Sequence, residues 1–203
     1  MKSHIERELK LQLEDEAQYA VLVAALGQVA GEGPRLAQTN VFFDTRDFAL
    51  RRTSRAMVRI REEAGRFELT VKDRAARTGA GLVSRERTEA LPPEEAQAVL
   101  RGARALSDLG HPLCRELGEE LGAIFPIGGI ANLRRTFTLS SGYVVEVDRT
   151  ELPGRTDFEI EIELRDERQT LEGAREALIA ALPGLDIASL PPSSPKYQRF
   201  LGG

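Results

Sequence analysis

Three groups of carboxylates recur at a spacing of two residues: Glu6 with Glu8, Glu146 with Asp148, and Glu159 with Glu161 and Glu163. On an extended chain alternate side chains point the same way, so each group lines up like charges on one face. Such rows repel unless something of opposite sign lies between them. Mg²⁺ or Mn²⁺ would serve, because both prefer carboxylate oxygens and water. The cations are grouped too, as Arg59 with Arg61, Lys72, Arg85 with Arg87, and Arg134 with Arg135. Guanidinium forks and ammonium groups suit phosphate oxygens, which accept several charge-assisted hydrogen bonds.

These residues need strands to position them, and the hydrophobic pattern supplies strands. Ile5 to Leu13 alternates, with Glu6, Glu8, Lys10 and Gln12 on one face, and Ile5, Arg7, Leu9, Leu11 and Leu13 on the other. Further strands are predicted over 36–44, 55–63, 66–73, 82–91, 127–139, 143–150 and 158–165, the 55–63/66–73 pair forming a hairpin about Ala64-Gly65. On the last strand Ile160, Ile162 and Leu164 lie behind the glutamates. Helices are expected at 15–30, from Pro93 to about Gly122 with a break near 110–112, and from about Glu167 to Leu182. Residues 74–81 read as a mobile loop, and a Pro/Ser-rich segment runs on to Gly203. The expected architecture is α+β. An antiparallel sheet of about eight strands closes into a barrel, which removes its edges. Two arrangements fit the pattern: charged faces outward around an apolar core, or charged faces inward with the helices covering the apolar faces.

Composition narrows the class. With 30% charged and 41% hydrophobic residues the chain suits a globular domain with an ordinary core. A formal charge of -4 speaks against a general nucleic-acid binder. No apolar run reaches the ~18 residues of a membrane span. The charged start is unlike a signal peptide, and Cys114 is the only cysteine, so a reducing cytoplasm is expected.

Ile5-Glu6-Arg7-Glu8-Leu9-Lys10 carries a Glu-x-Glu-x-Lys motif that resembles the signature of the CYTH superfamily, the triphosphate tunnel metalloenzymes. The resemblance continues in order through Asn40 to Thr45 with Ala49 to Arg52, Val58 to Arg61, Leu69 to Lys72, Ser84 to Arg87, and Pro195 to Arg199. Phe42 stands where the family has tyrosine, and Pro195 where it has serine before the lysine.

The resemblance implies a single domain over 1–203, an eight-stranded antiparallel barrel (a tunnel) with helices packed outside, and therefore the inward arrangement. It implies a hydrolase that splits inorganic triphosphate, or another triphosphate, to the diphosphate and phosphate. Mg²⁺ or Mn²⁺ would lie on Glu6, Glu8, Asp148, Glu159, Glu161 and Glu163, the register of the late acidic pair being left open. Lys10, Arg59, Arg61, Lys72, Arg87, Arg134 and Lys196 would grip the phosphates, with Glu86 in support and Glu6, Glu8 and Lys10 catalytic. Arg134 is preferred over Arg135 because Arg135 shares the side of Leu133 and Phe137. The expected partner is a triphosphate-bearing small molecule, without nucleic acid or membrane. The oligomeric state is left open, a homodimer being compatible. A class IV adenylate cyclase and a non-catalytic polyphosphate or nucleotide binder are the competing readings. His4, His111 and Cys114 are read as structural or solvated. Gly79 and Gly81 lack the Lys-Ser/Thr of a phosphate loop.

Overall fold

The computed structural model describes residues 1–52, 55–73, 76–78 and 81–202. In chain order the elements are β1 (Lys2–Leu13), α1 (Glu16–Ala30), β2 (Arg35–Asp44), β3 (Arg55–Glu63), β4 (Arg66–Asp73), β5 (Ala76–Thr78), β6 (Gly81–Leu91), α2 (Pro93–Leu100), α3 (Pro112–Leu121), β7 (Phe125–Thr138), β8 (Val144–Leu152), β9 (Arg155–Glu163), α4 (Leu171–Ala181) and α5 (Lys196–Gly202). The hydrogen-bonded order is β1-β9-β8-β7-β2-β3-β4-β6, and β6 pairs back to β1. Eight strands thus close into an antiparallel barrel with the helices outside, while β5 only extends β6 as a short hairpin.

The chain divides into two compact units, the first comprising Met1–Ile5, Gln38–Ala75 and Ser84–Ile130, and the second Glu6–Ala37, Ala76–Val83 and Ala131–Gly203. Each solves the same problem by strand alternation. In the second unit Leu9, Leu11, Val145, Val147, Ile160 and Ile162 pack against Leu22 and Leu26 of α1 and Ala174 and Leu178 of α4. Asp15 starts α1 by accepting the Gln18 N–H at 2.8 Å, and Thr170 starts α4 by accepting the Gly173 N–H at 2.9 Å. In the first unit Val58, Ile60, Leu69 and Val71 pack against Val99 of α2 and Leu113 and Leu117 of α3. Ala64 and Gly65 both take positive φ, 50° and 75°, which joins β3 to β4 by the tight turn whose twist matches the strands. Asp44 Oδ1 accepts the backbone N–H of Thr45 and of Leu50 at 2.7 and 2.9 Å, folding the segment after β2 into a 3₁₀ turn over Ala49–Arg52.

The structure differs from the sequence reading in its helices and in one loop. Among the described residues there are five α-helices where three helical stretches were expected. The break expected near 110–112 is present but wider, spanning residues 101–111, and Pro112, which lacks the N–H needed inside a helix, begins the second helix. Within the Pro/Ser-rich segment, Lys196–Gly202 form a further helix, α5. Of the expected mobile loop at 74–81, residues 76–78 form β5, and 74, 75, 79 and 80 lie outside the described residues. Among the described residues no helix is long and apolar enough to cross a membrane.

Gly33 shows how closely the second unit is fitted. A Cβ placed there would lie 1.4 Å from the Thr136 carbonyl oxygen, while the neighbouring Pro34 carbonyl accepts the Thr136 N–H at 3.2 Å. Gly33→Ala is therefore expected to cost at least about 2 kcal/mol, as overpacking against unyielding backbone does. Urea unfolding followed by circular dichroism measures it.

Candidate active site

Strand register in the second unit assembles a charged centre. Across β1, β9, β8 and β7, Lys10 faces Glu161, Glu161 faces Glu146, and Glu146 faces Thr136. The adjacent row on the same face runs Gln12, Glu159, Asp148, Arg134. The apolar side chains alternating with these rows belong to the helix-covered core. Each step of one residue along a strand thus crosses between a greasy face and an ionic one.

The contacts within the rows are dense. Arg134 donates from Nε to Asp148 Oδ1 at 2.8 Å and from Nη2 to Asp148 Oδ2 at 2.6 Å and Glu161 Oε2 at 2.5 Å, and its Nη1 pairs with Glu146. Lys10 pairs with Glu161 and, at 3.0 Å, with Glu8. From α5, Lys196 reaches Asp148 Oδ2 and Glu161 Oε1, both at 2.7 Å, and also Glu159. Asp148 and Glu159 have no exposed surface, and Glu161 is 7% exposed.

Burial sets the electrostatics, and the cations then decide its sign. Desolvation favours the neutral form of Asp148, but Lys196 and Arg134 outweigh it and hold the carboxyl at about 2. Burial likewise opposes ionisation of Glu161, which Lys10, Lys196 and Arg134 drive well below the usual carboxylate range. Against the same burial, Lys196 and the Arg199 hydrogen bonds lower Glu159. Glu146 differs: burial pushes it up, and Arg134 only partly compensates. Despite desolvation, Lys10 and Arg134 are held protonated by the carboxylates around them.

Asp148, Glu159 and Glu161 each offer a carboxylate oxygen within 4.8 Å of the others. Three ionised oxygen donors this close fit a metal ion that takes the deprotonated carboxylate. Glu8 and Glu163 face each other at the end of this strand pair, and Glu6 follows two residues before Glu8 on β1.

The first unit carries a second polar face. Arg61 Nε donates to Asn40 Oδ1 at 3.0 Å, Gln38 Nε2 donates to Glu63 at 2.7 Å, and Lys72 lies 3.8 Å from Glu86. Arg59 Nε and the hydroxyl of Thr70, directly opposite on β4, are buried without a hydrogen-bond partner among the described residues. Buried donors of this kind are normally satisfied, so this pair is suited to an incoming acceptor.

Arg87 corrects the expected phosphate set. It lies opposite Val71, on the helix-covered side of β6, and its Nη1 pairs with Glu116 of α3 at 2.6 Å. Counting alternation back from Lys72, which faces Glu86, puts Arg87 on the wrong face. Arg135 also lies away from the charged centre, its guanidinium 5.8 Å from the Phe137 ring centroid. Sequence reasoning missed Thr70, Ser193 and Arg199. The signs for Arg199 are its place in the block Pro195 to Arg199 and its spacing of three from Lys196. His111 starts α3 between Glu95, at 2.8 Å, and Glu89, at 3.5 Å, while burial pushes the Cys114 thiol up to about 12 and keeps it protonated.

The profile of the CYTH domain matches residues 4–186. The chain belongs to the CYTH family. Among solved structures, a candidate adenylyl cyclase from Hippeastrum with a dominant triphosphatase activity superposes with a TM-score of 0.83 at 24% identity, over 98% of this chain and 96% of its own. A candidate adenylate cyclase from Bacillus halodurans superposes with a TM-score of 0.74 at 27% identity, over 98% of this chain and 99% of its own. No curated protein matches the chain. This CYTH protein thus shares its whole fold with both neighbours.

Asp148, Glu159 and Glu161 bind protons more weakly folded than unfolded, so their ionisation contributes stability above their unfolded values near pH 4. That contribution is lost as the pH falls through the folded values, about 2 for Asp148. The urea midpoint is expected to fall steeply between about pH 4 and pH 2, and less steeply in Asp148→Asn, which lacks one of the linked protons.

Proposed function

We propose that this CYTH protein hydrolyses inorganic triphosphate, or another molecule carrying a triphosphate, with a divalent cation. The observation that carries the reading is the convergence of Lys10, Arg134 and Lys196 on Glu161, beside ionised Asp148 and Glu159 in a buried centre. An anion binder alone gains nothing from buried carboxylates, and a metal site alone gains nothing from three cations. Both sets are needed where a metal and a polyanion meet. Residues 1–203 act in this reading as one functional domain in a reducing cytoplasm.

Lys10, Arg134 and Lys196 exchange part of their bonding from carboxylate to phosphate oxygens. Arg59, with its orphaned Nε, Arg61 and Lys72 are further phosphate contacts, and Glu86 holds Lys72. Asp148, Glu159 and Glu161, with Glu6, Glu8 and Glu163 around them, would hold Mg²⁺ or Mn²⁺. Such an ion, when bound, supplies neutralisation of phosphate charge and a more acidic water. Water adds at the terminal phosphorus, the bridging P–O bond breaks, and diphosphate leaves with the bonding electrons while one proton is released. Glu6 and Glu8 are the carboxylates assigned to the proton and to orienting the water.

The cyclase names of the two neighbours bring in one competing chemistry, cyclisation of ATP with loss of diphosphate, although the activity stated as dominant for the first is triphosphatase. One assay separates the two. Phosphate release from inorganic triphosphate, ATP and thiamine triphosphate with Mg²⁺ or Mn²⁺, read beside cyclic nucleotide, should give phosphate without cyclic AMP. Glu8→Gln is expected to lower kcat about 10²-fold or more at saturating metal with an unchanged circular dichroism spectrum. Full activity in that variant removes Glu8 from the site, and cyclic AMP as the main product replaces the hydrolase reading.

A further inference from the structure

The segment leading into α5 is bound to the centre by more than Lys196. Gln12 N–H donates to the Pro191 carbonyl at 2.8 Å, and Ser193 N–H donates to the Lys10 carbonyl at 3.0 Å, so the segment lies along β1 as a short added strand. Three residues farther along than Lys196, Arg199 forms a two-pronged bond to Glu159, Nη1 to Oε2 and Nη2 to Oε1, both 2.9 Å. Its Nε lies 3.0 Å from Asp157 Oδ2, and its Nη1 also donates to the Ser194 carbonyl at 2.7 Å. Ser193 Oγ lies 2.9 Å from Glu159 Oε2. Every side chain bonded to Glu159 in these contacts thus comes from residues 193–199, and both of its oxygens are filled. Asp148 and Glu161, by contrast, are also held by strand cations, Arg134 and Lys10.

Resting on the reading of the centre given above, we propose that Arg199 is a positioning residue: by clamping Glu159 it seats the C-terminal segment and fixes Lys196 among the three carboxylates. It need not touch substrate. The fork matters as well as the charge, because a guanidinium holds both oxygens of Glu159 at once through parallel N–H donors, as an ammonium does not. Placing Lys196 and Arg199 together adds two positive charges beside Asp148, Glu159 and Glu161. The clamp therefore biases the centre toward the anion and against the bare metal ion.

This gives opposite signs for two ligands. In Arg199→Ala, Mn²⁺ alone, titrated by electron paramagnetic resonance, should bind about tenfold more tightly, and inorganic triphosphate alone, by calorimetry without metal, about tenfold more weakly. Arg199→Lys keeps the charge but not the fork. It should return Mn²⁺ affinity to within about twofold of wild type while leaving triphosphate binding weakened about threefold. Hydrogen exchange at Ser193 N–H should quicken in both variants. The proposal is overturned if the alanine variant shifts both affinities in one direction or neither, or if lysine restores both. Should the alanine variant not fold, unchanged triphosphate affinity and unchanged Ser193 exchange in Arg199→Lys overturn it alone. A wild-type protein that binds no triphosphate sinks the reading of the centre instead; the clamp is then judged by Mn²⁺ affinity and exchange, and fails if neither moves.

Discussion

The structure turns on the repulsion among carboxylates that adjacent strands bring face to face. Glu161 stands opposite Glu146 on β8, and Glu159 opposite Asp148, in a centre largely closed to water. Taking an ion out of water costs several kcal/mol even after relaxation, and two like ions side by side add to that cost. The fold meets it with Lys10, Arg134, Lys196 and Arg199 interleaved among Glu8, Glu146, Asp148, Glu159 and Glu161, which leaves the set one negative charge from balance. Such a network is sensitive to single losses, because each removed partner leaves a buried charge uncompensated.

Strand alternation makes this arrangement possible without weakening the core. On β9, Phe158, Ile160 and Ile162 enter the apolar cluster while Glu159 and Glu161 enter the ionic one, one residue apart. A one-residue slip would exchange the two sets and bury unpaired carboxylates under α1 and α4. The ionic bonds across β1, β9, β8 and β7 therefore reinforce the register that the hydrophobic face demands. The CYTH chain uses the same division in its other unit, where Val58 and Ile60 face α2 and α3 and Arg59 and Arg61 face away.

Much of this could be read from the residues, and the failures have physical causes. The alternation in Glu159 to Leu164 and in Met57 to Glu63 placed strands and faces, since a period of two suits an extended chain and would scatter the same charges around a helix. Arg134 was distinguishable from Arg135 because its neighbours two away, Asn132 and Thr136, are polar, whereas those of Arg135 are Leu133 and Phe137. Arg87 was misplaced because β6 alternates weakly: Arg85, Arg87 and Glu89 precede Leu91 on the helix-covered side, so charge gave no clue to direction. Partners such as Glu116 come from α3, far along the chain, and no local pattern announces them. The same holds for α5. Its seven residues are too few for an amphipathic stripe, and its order comes from contacts with β1 and Glu159 rather than from propensity.

The pairing also bears on how ligands could enter such a centre. The oxygens of Asp148, Glu159 and Glu161 that suit a divalent ion are the same ones that Lys196, Arg134, Lys10 and Arg199 now occupy. A cation arriving alone must compete with ammonium and guanidinium groups already in place. A polyanion arriving alone must draw those groups from carboxylates, leaving the carboxylates exposed to one another. Arriving together, each supplies the charge the other displaces, so the change in net charge is small and the desolvation penalty is shared. In the function proposed for this CYTH centre, metal and triphosphate would therefore bind cooperatively, from the shared oxygens alone and without a change of fold.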